Sequence, residues 1–208
     1  MRNLVRVSML LVALYLVAPA QAMAQGMDQF NPHPYIGVGL GAFGLKGSAP
    51  GYSQSNTEFG GYVNAGINFN DYLGVELRLG TTTKGSKSFP PGTFNGVAIA
   101  TPYTVDIQPD YLLAYLVKLQ YPASPEMNLY ALLGASTARG KFTMSAPGAS
   151  ASISKTKTAF TWGVGGDYNL NNQVSAGIEF VQYWNDVTVE TNTKFSVWGA
   201  VANATYHF

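Results

Sequence analysis

The chain contains no cysteine and few charged residues, and both absences restrict its class. Only 11% of its 208 residues are Asp, Glu, Lys or Arg, against a usual share of about 25%. Without Cys the chain can form no disulfide and carries no cysteine for lipid attachment, so it must be stabilised in another way. A formal net charge of +1 provides no basic field for nucleic acid, and no nucleic-acid partner is expected.

Long apolar runs are also scarce, and the single one lies near the start. Leu10 to Val17 (LLVALYLV) follows two arginines and precedes Pro19 and several alanines. This pattern predicts a secretory signal peptide, since the run is too short to span a bilayer. Cleavage is expected after Ala22 or Ala24, which assigns residues 1–24 to the signal and residues 25–208 to one mature domain.

The chain does contain segments in which apolar and polar residues alternate. It is also rich in glycine, with 23 residues, and 13% of its residues are aromatic. In TEFGGYVNAGINFN (57–70), every second residue is apolar or small, while the intervening positions include Glu58 and Asn64. This period predicts half-apolar strands of about ten residues, as in a transmembrane β-barrel. The fold class predicted is therefore all-β, an eight-stranded antiparallel up-and-down transmembrane barrel, with strands at 35–43, 57–70, 72–80, 111–121, 129–138, 160–170, 174–183 and 196–208.

The connections between these strands alternate in length. Short turns are predicted at Asn70-Asp71, at 122–126 and at Asn171-Asn172, and long loops at 44–56, 81–103, 140–155 and 185–193. Short turns on the periplasmic side and long loops outside are typical of outer-membrane barrels. Pro109 cannot donate to a strand ladder, so we expect it at a bulge near the rim.

Aromatic residues cluster near the predicted strand ends, where membrane barrels carry two interfacial girdles. The lower girdle is predicted to contain Phe69, Tyr72, Tyr121, Tyr168, Tyr206 and Phe208, and the upper one Phe43, Phe59, Trp162, Trp184 and Trp198.

The last strand, SVWGAVANATYHF, ends on Phe208 and resembles the C-terminal signal that the outer-membrane assembly machinery recognises, with Trp198, Tyr206 and Phe208 as its aromatic positions. The segment GVGGDYNLNNQVSAGIEFVQYW (163–184) resembles the penultimate hairpin of the small eight-stranded outer-membrane proteins of Gram-negative bacteria, the OmpA-like and opacity-type porin family. The resemblance implies a location in the bacterial cell outer membrane after signal cleavage. The implied partners are outer-membrane lipid, lipopolysaccharide and the assembly machinery.

Five charged residues fall on the inward parity of their strands: Glu76, Arg78, Lys118, Asp167 and Glu179. An eight-stranded barrel is filled by its own side chains, so we expect these charges to satisfy one another. The alternative is a polar gate in a narrow channel for small solutes.

The predicted long loops supply the candidate contact residues. Phe89, Phe94, Ile99 and Tyr103 lie in a stretch without charge, which either extends the fourth strand or forms an apolar contact surface. Lys141, Lys155 and Lys157 make the outer side locally basic. Such cations suit lipopolysaccharide phosphates, and an acidic host or matrix polymer is a further candidate ligand.

Nothing in the sequence indicates catalysis. His33 and His207 have no Ser and acid at triad-like spacing, and metal-ligand spacings and a phosphate-binding loop are absent. The chain is therefore predicted to be no enzyme and to need no cofactor. The function predicted is a structural or surface-interaction role through the outer loops. The alternatives are a narrow channel, a soluble lipocalin-like barrel, and an enzyme acting on lipid A.

Overall fold

The computed structural model describes residues 32–49, 52–94, 97–190 and 193–208. The predicted signal peptide lies outside this part of the chain. The described residues form eleven strands: β1 (His33–Ala49), β2 (Tyr52–Asn68), β3 (Leu73–Thr82), β4 (Gly85–Phe89), β5 (Gly92–Phe94), β6 (Val97–Ile99), β7 (Tyr103–Pro122), β8 (Met127–Ala146), β9 (Ala149–Asn169), β10 (Val174–Glu190) and β11 (Thr193–His207).

The strands other than β5 and β6 close into an antiparallel barrel, in which β1, β2, β3, β7, β8, β9, β10 and β11 pair in this order around the ring. β1 also pairs with β11, with Tyr35 opposite His207, and this pairing closes the ring. β3 and β4 share one position of the barrel, because both pair with β7 at different heights. The ring therefore has eight positions, and the predicted eight-stranded up-and-down barrel is confirmed. No helix in the part of the chain that the structure describes is long and apolar enough to span a membrane.

The lower half of the barrel carries a belt of outward apolar side chains. On β1, Ile36, Val38 and Leu40 are each at least half exposed, as the alternation predicts for a lipid-facing surface. From Phe59 on β2 to Phe69, one residue past the end of β2, the ten residue-to-residue steps would cover about 26 Å along the barrel axis, at ~3.4 Å per step and a tilt of ~40°. This height matches a belt of ~25 Å.

Asparagine side chains fix two of the short turns at the periplasmic end. Asn70 Oδ1 accepts hydrogen bonds from the backbone N–H groups of Tyr72 and Leu73, at 2.9 and 2.8 Å. Asn171 repeats this geometry with Gln173 and Val174. These Asx turns explain why the chain reverses there, and they confirm the predicted positions of the short turns.

The predicted long loops are mostly wrong, because the strands continue far above the membrane belt. β8 and β9 pair up to Ala146 and Ala149 and are joined by Pro147 and Gly148 alone. Gly148 has a φ of 76°, which suits glycine at the second central position of a type II turn. Among the residues that the structure describes, the stretch between β3 and β7 alone departs from this pattern, since the short strands β5 and β6 pair there as a separate hairpin.

Above the belt the barrel wall divides into two sheets. Among the described residues, β9–β10 pairing ends at Trp162 and Gln182, and β2–β3 pairing ends at Gly60 and Thr82. Higher up, β1, β2, β10 and β11 form one sheet, and β4, β7, β8 and β9 form the other. We call these the outer sheets.

The outer sheets face each other across the barrel axis. A Cβ atom added at Gly47 on β1 would lie 3.6 Å from Ile107 Cδ1 on β7, so the two sheets are in contact. Their facing side chains form a buried apolar core, here called the apolar plug: Phe43, Leu45, Tyr103, Val105, Ile107, Ala138, Trp184, Phe195 and Val197.

Two β-bulges determine which residues enter the plug. The register shifts between Pro109 and Tyr111 on β7, so the inward face changes from even to odd positions above Asp110. This bulge confirms the prediction for Pro109. A second shift on β10 turns Trp184 inward. Trp184 is therefore not a girdle residue, and neither is Phe43, which has the inward parity of Gly39 and Gly41 and is buried.

Candidate functional site

The centre of the lumen holds a network of buried charges around Arg78. Its Nε donates to Glu76 Oε1, and its Nη2 donates to Glu179 Oε2 at 2.8 Å from the opposite wall. All three residues are at least 95% buried. Because Glu76 and Glu179 lie on β3 and β10, Arg78 joins two distant strands through charge-assisted bonds. We call Glu76, Arg78 and Glu179, with the tyrosines below, the lumen network.

Three tyrosines complete the lumen network. Tyr35 donates to Glu76 Oε2 at 2.8 Å, Tyr62 to Glu179 Oε1 at 2.9 Å, and Tyr130 to Glu179 Oε2 at 3.0 Å. The carboxylates thus receive neutral donors as well as Arg78, which the cost of burying charge requires. The role of these tyrosines was not predicted from the sequence, although Tyr62 lies on the predicted inward parity.

Each of these tyrosine rings lies over a glycine directly opposite on the neighbouring strand. The pairs are Tyr35 with Gly66, Tyr62 with Gly39, and Tyr130 with Gly165. A Cβ atom at any of the three glycines would come within 2.3–2.5 Å of the ring. The inward glycines therefore let the rings lie flat on the barrel wall, which directs the hydroxyls to the carboxylates.

Below the lumen network, a second set of polar contacts lines the periplasmic end. Lys118 Nζ donates to Asp167 Oδ2 at 3.1 Å. Asn128 donates to Gln120, and Gln120 in turn to Asn68, at 2.8 and 2.9 Å. The five charges predicted for the lumen are thus all buried there, in two separate groups.

Above the lumen network the interior is apolar. Leu132 and Val181 are completely buried just above it, and the apolar plug follows. The cavity between Phe43, Tyr62 and Leu112 has a volume of only about 10 Å³, about the minimum that one water needs. In the described part of the chain, apolar side chains therefore fill the interior above the lumen network.

The predicted apolar contact residues do not form one exposed surface. Tyr103 is 95% buried in the apolar plug, so its predicted exposure is wrong. Phe89 is partly buried against the plug and stacks on Tyr103 at 5.3 Å between ring centroids. Tyr103 faces the interior because the bulge at Asp110 reverses the inward parity of β7, and Phe89 on β4 faces the same way because it pairs with Tyr103. Phe94 and Ile99 lie on β5 and β6, and their side chains are outside the described part of the structure.

The predicted basic residues lie on two faces of the β8–β9 hairpin. Lys141 on β8 stands opposite Ser154 and has the outward parity of Leu129 and Leu133. Lys155 and Lys157 on β9 have the opposite parity. The three lysines, predicted to make the outer side locally basic, are therefore divided between two faces by the register.

The outward face of this hairpin carries paired hydroxyls that the sequence analysis missed. Thr137 lies 2.7 Å from Thr158, and Thr143 lies 3.2 Å from Ser152, in both cases between hydroxyl oxygens. A further pair joins Ser145 and Ser150 at 3.3 Å. The signal was present in the sequence, since residues 150, 152, 154, 156 and 158 are all Ser or Thr.

Charge is distributed unevenly along the barrel axis. The strands place eight of the twelve basic residues above the apolar belt, together with five acids. These eight are Lys46, Lys84, Lys87, Arg139, Lys141, Lys155, Lys157 and Lys194. The turns at the periplasmic end carry Asp71 and Glu126 and no base. The outer end is therefore positive and the periplasmic end negative.

One acid of the outer end is held in its charged form. The hydroxyl of Ser86 donates to Asp106 Oδ1 at 2.6 Å, and Lys84 Nζ donates to Oδ2 at 3.0 Å. These bonds, the Ser86 bond first, lower the pKa of the Asp106 carboxyl because they stabilise the carboxylate.

The three residues of the predicted assembly signal have the outward parity of β11. Tyr206 and Phe208 are exposed at the periplasmic end, with ring centroids 5.2 Å apart. Trp198 lies higher, stacked on Phe180 at 5.9 Å, and Phe180 also contacts Trp162. Trp198 thus belongs to the upper girdle, and the recognition of these residues by assembly machinery stays a prediction.

The described residues contain no group of three or more His, Asp or Glu side chains arranged to hold a metal ion. His207 Nε2 lies 3.1 Å from Ser175 Oγ at the periplasmic end, and His33 begins β1 opposite Asn68. The absence of catalysis stays a prediction.

An eight-stranded barrel with an outward apolar belt, aromatic girdles and an inward charge network defines a small outer-membrane β-barrel protein. A family model described as "Outer membrane protein beta-barrel domain" matches residues 10–208. The chain belongs to this family, and its predicted resemblance to small outer-membrane barrels is confirmed. It is a protein of the bacterial outer membrane.

Solved structures share this fold at low identity. A major outer membrane protein of Thermus thermophilus is 14% identical, with 85% of this chain and 99% of that chain covered and a TM-score of 0.57. Ail, the attachment invasion locus protein of Yersinia pestis, is 19% identical, with coverage of 84% and 98% and a TM-score of 0.52. Neisserial surface protein A is 14% identical, with coverage of 84% and 97% and a TM-score of 0.51. A search of curated proteins found no match.

Proposed function

We propose that the protein is a surface-interaction barrel whose outer sheets bind polyanionic saccharide, such as the phosphorylated core of lipopolysaccharide or a sulfated host or matrix glycan. The observation that carries this proposal is the excess of basic residues above the apolar belt. Cations grouped on a rigid surface bind phosphate and sulfate through charge-assisted hydrogen bonds.

The hydroxyl-lined face of the β8–β9 hairpin is the preferred contact surface. Arg139 and Lys141 stand on it beside paired Ser and Thr residues, so it offers both charge and neutral hydrogen-bonding groups. Asp110 lies 3.4 Å from Arg139, which leaves Lys141 as the stronger anion-binding group. The structure of Ail also exists in complex with the heparin analogue sucrose octasulfate, so a barrel of this shape can present such a site.

Binding of the folded, detergent-solubilised protein to immobilised heparin and to immobilised lipopolysaccharide tests the proposal. We expect retention that falls with added NaCl, because exposed charges are screened. Lys141→Gln should weaken retention several-fold, whereas Lys157→Gln, which removes the same charge from the opposite face of the hairpin, should weaken it much less. Retention that does not respond to salt or to Lys141→Gln would contradict the proposal, and a response to one ligand alone would identify the saccharide class.

A channel is the second candidate, because the lumen network is polar and central. Against it stands the apolar plug, which fills the interior above the lumen network. A soluble lipocalin-like barrel is not supported, since the exposed belt is apolar and the charges point inward. An unchanged lipid A profile in a deletion strain would remove the remaining alternative, an enzyme acting on lipid A.

A further inference from the structure

A row of positions crosses four strands near the periplasmic end of the lumen, with polar side chains on three of them and a glycine on the fourth. Asn128 on β8 stands opposite Asp167 on β9, and Asp167 stands opposite Gly177 on β10. Gly177 in turn stands opposite Asn203 on β11. We call Asn128, Asp167 and Asn203 the oxygen row.

Each member of the oxygen row has one buried oxygen without a hydrogen-bond partner. These atoms are Oδ1 of Asn128, Asp167 and Asn203. The other polar atom of each side chain is engaged, since Asn128 Nδ2 donates to Gln120, Asn203 Nδ2 donates to Tyr130, and Asp167 Oδ2 accepts from Lys118. Only acceptors are left over, and buried acceptors require a donor or a cation.

Gly177 leaves the space into which two of these oxygens point. A Cβ atom at this position would lie 2.2 Å from Asp167 Oδ1 and 3.0 Å from Asn203 Oδ1. Any larger residue would fill the gap between them. The glycine thus keeps a small volume bordered by oxygen atoms on both sides.

The net charge of the lumen also favours a bound cation. Its described acids are Glu76, Asp167 and Glu179, and its buried bases are Arg78 and Lys118, which leaves one negative charge in excess. A single positive charge would balance the interior, and a buried uncompensated charge is costly.

We propose that the oxygen row binds one monovalent cation over Gly177, with Na⁺ as the probe to test. Asp167 Oδ1 and Asn203 Oδ1 are its principal ligands, Asn128 Oδ1 is a third, and water fills the other positions. Carboxylate and amide oxygens are the donors that hard cations prefer. With one carboxylate, already shared with Lys118, the site suits a single charge better than a divalent ion.

The test is ²³Na NMR on the purified, folded protein in detergent, with choline chloride keeping the ionic strength constant. Binding should broaden the sodium resonance in a saturable way, and added K⁺ should compete. Asn203→Ala removes a ligand without changing any charge, and we expect at least a threefold loss of the saturable broadening. Asp167→Asn should abolish it.

Asn64→Ala is the matched control, because Asn64 also has a buried unpartnered Oδ1 but lies on β2, away from the oxygen row. It should retain the wild-type broadening of the sodium resonance. His207→Gln, which removes a titratable side chain at this end of the barrel, should retain it as well. A heat-modifiability gel establishes that every variant is folded. Absence of saturable broadening in the wild type, or equal broadening in folded Asn203→Ala and Asn64→Ala, would overturn the proposal.

Discussion

Arg78 is the residue on which the lumen network depends, since it joins Glu76 and Glu179 across the barrel. Arg78→Met keeps much of the volume and removes the charge, which leaves two buried carboxylates without their cation. We expect a loss of about 3–5 kcal/mol in the free energy of unfolding, measured by urea titration of tryptophan fluorescence. Arg139→Met, at an exposed pair with Asp110, should cost less than about 1 kcal/mol. Equal losses would contradict this account.

Adjacent glycines on β9 provide a second test at the residue scale. A methyl group at Gly165 would meet the Tyr130 ring at 2.5 Å, whereas one at Gly166 would meet Leu129 Cδ2 at 3.2 Å and the backbone oxygen of Asn128 at 3.6 Å. Gly165→Ala should therefore destabilise the barrel by about 1–3 kcal/mol through overpacking. Gly166→Ala should stay within about 1 kcal/mol of the wild type. The same urea titration measures both, and a reversed order would refute the role of the tyrosine–glycine pairs.

At the scale of elements, the strands within the membrane could be predicted because one face of each must be apolar. Glu76 and Arg78 alternate with Leu77 and Leu79, so the inward parity of β3 was evident. The outer parts of β8 and β9 were not found, because both of their faces meet water or the other sheet and apolar alternation is lost there. Their alternation consists of hydroxyls, a signal that hydrophobic periodicity does not register.

Bulges set the other limit on prediction. Between Lys118 and Leu112, the sequence shows which residues of β7 face inward. Beyond the bulge at Asp110, one extra residue exchanges the inward and outward faces of the strand. Pro109 indicated the bulge, yet the sequence does not show how many residues the ladder skips. For this reason Tyr103 was expected outside and is found in the apolar plug.

The pairing of β4 with β7 should depend on pH through Asp106. The folded-state pKa of this carboxyl lies below its ordinary value, so its contribution is present above the unfolded pKa of ~3.9 and is lost as the pH falls through the folded value. In Ser86→Ala the pKa should rise towards the ordinary value, because the Ser86 hydroxyl is the largest stabilising contact. Carboxyl ¹³C NMR titration measures this shift, with Ser88→Ala as the control. An unchanged titration would show that Ser86 does not hold the carboxylate.

At the scale of the whole molecule, two filled layers lie in series along the lumen. The lumen network lies below, and the apolar plug with Leu132 and Val181 lies above. We therefore expect no stepwise currents from the wild type in planar lipid bilayers, and none from Arg78→Met, since the upper layer remains. Stepwise currents in the wild type would favour the channel, and currents in Arg78→Met alone would show that the plug does not seal the lumen.

The pairing of β1 with β11 has a consequence for how the protein is made. Tyr35 and His207 lie near opposite ends of the described chain yet occupy the same rung of the ladder, so the ring cannot close until the last strand has emerged. Such distant pairing makes folding slow. A chain without β11 would retain its other hairpins, but β1 and β10 would each have an unpaired edge, and such edges promote aggregation. Premature termination of translation before β11 would therefore leave a chain that cannot close its barrel.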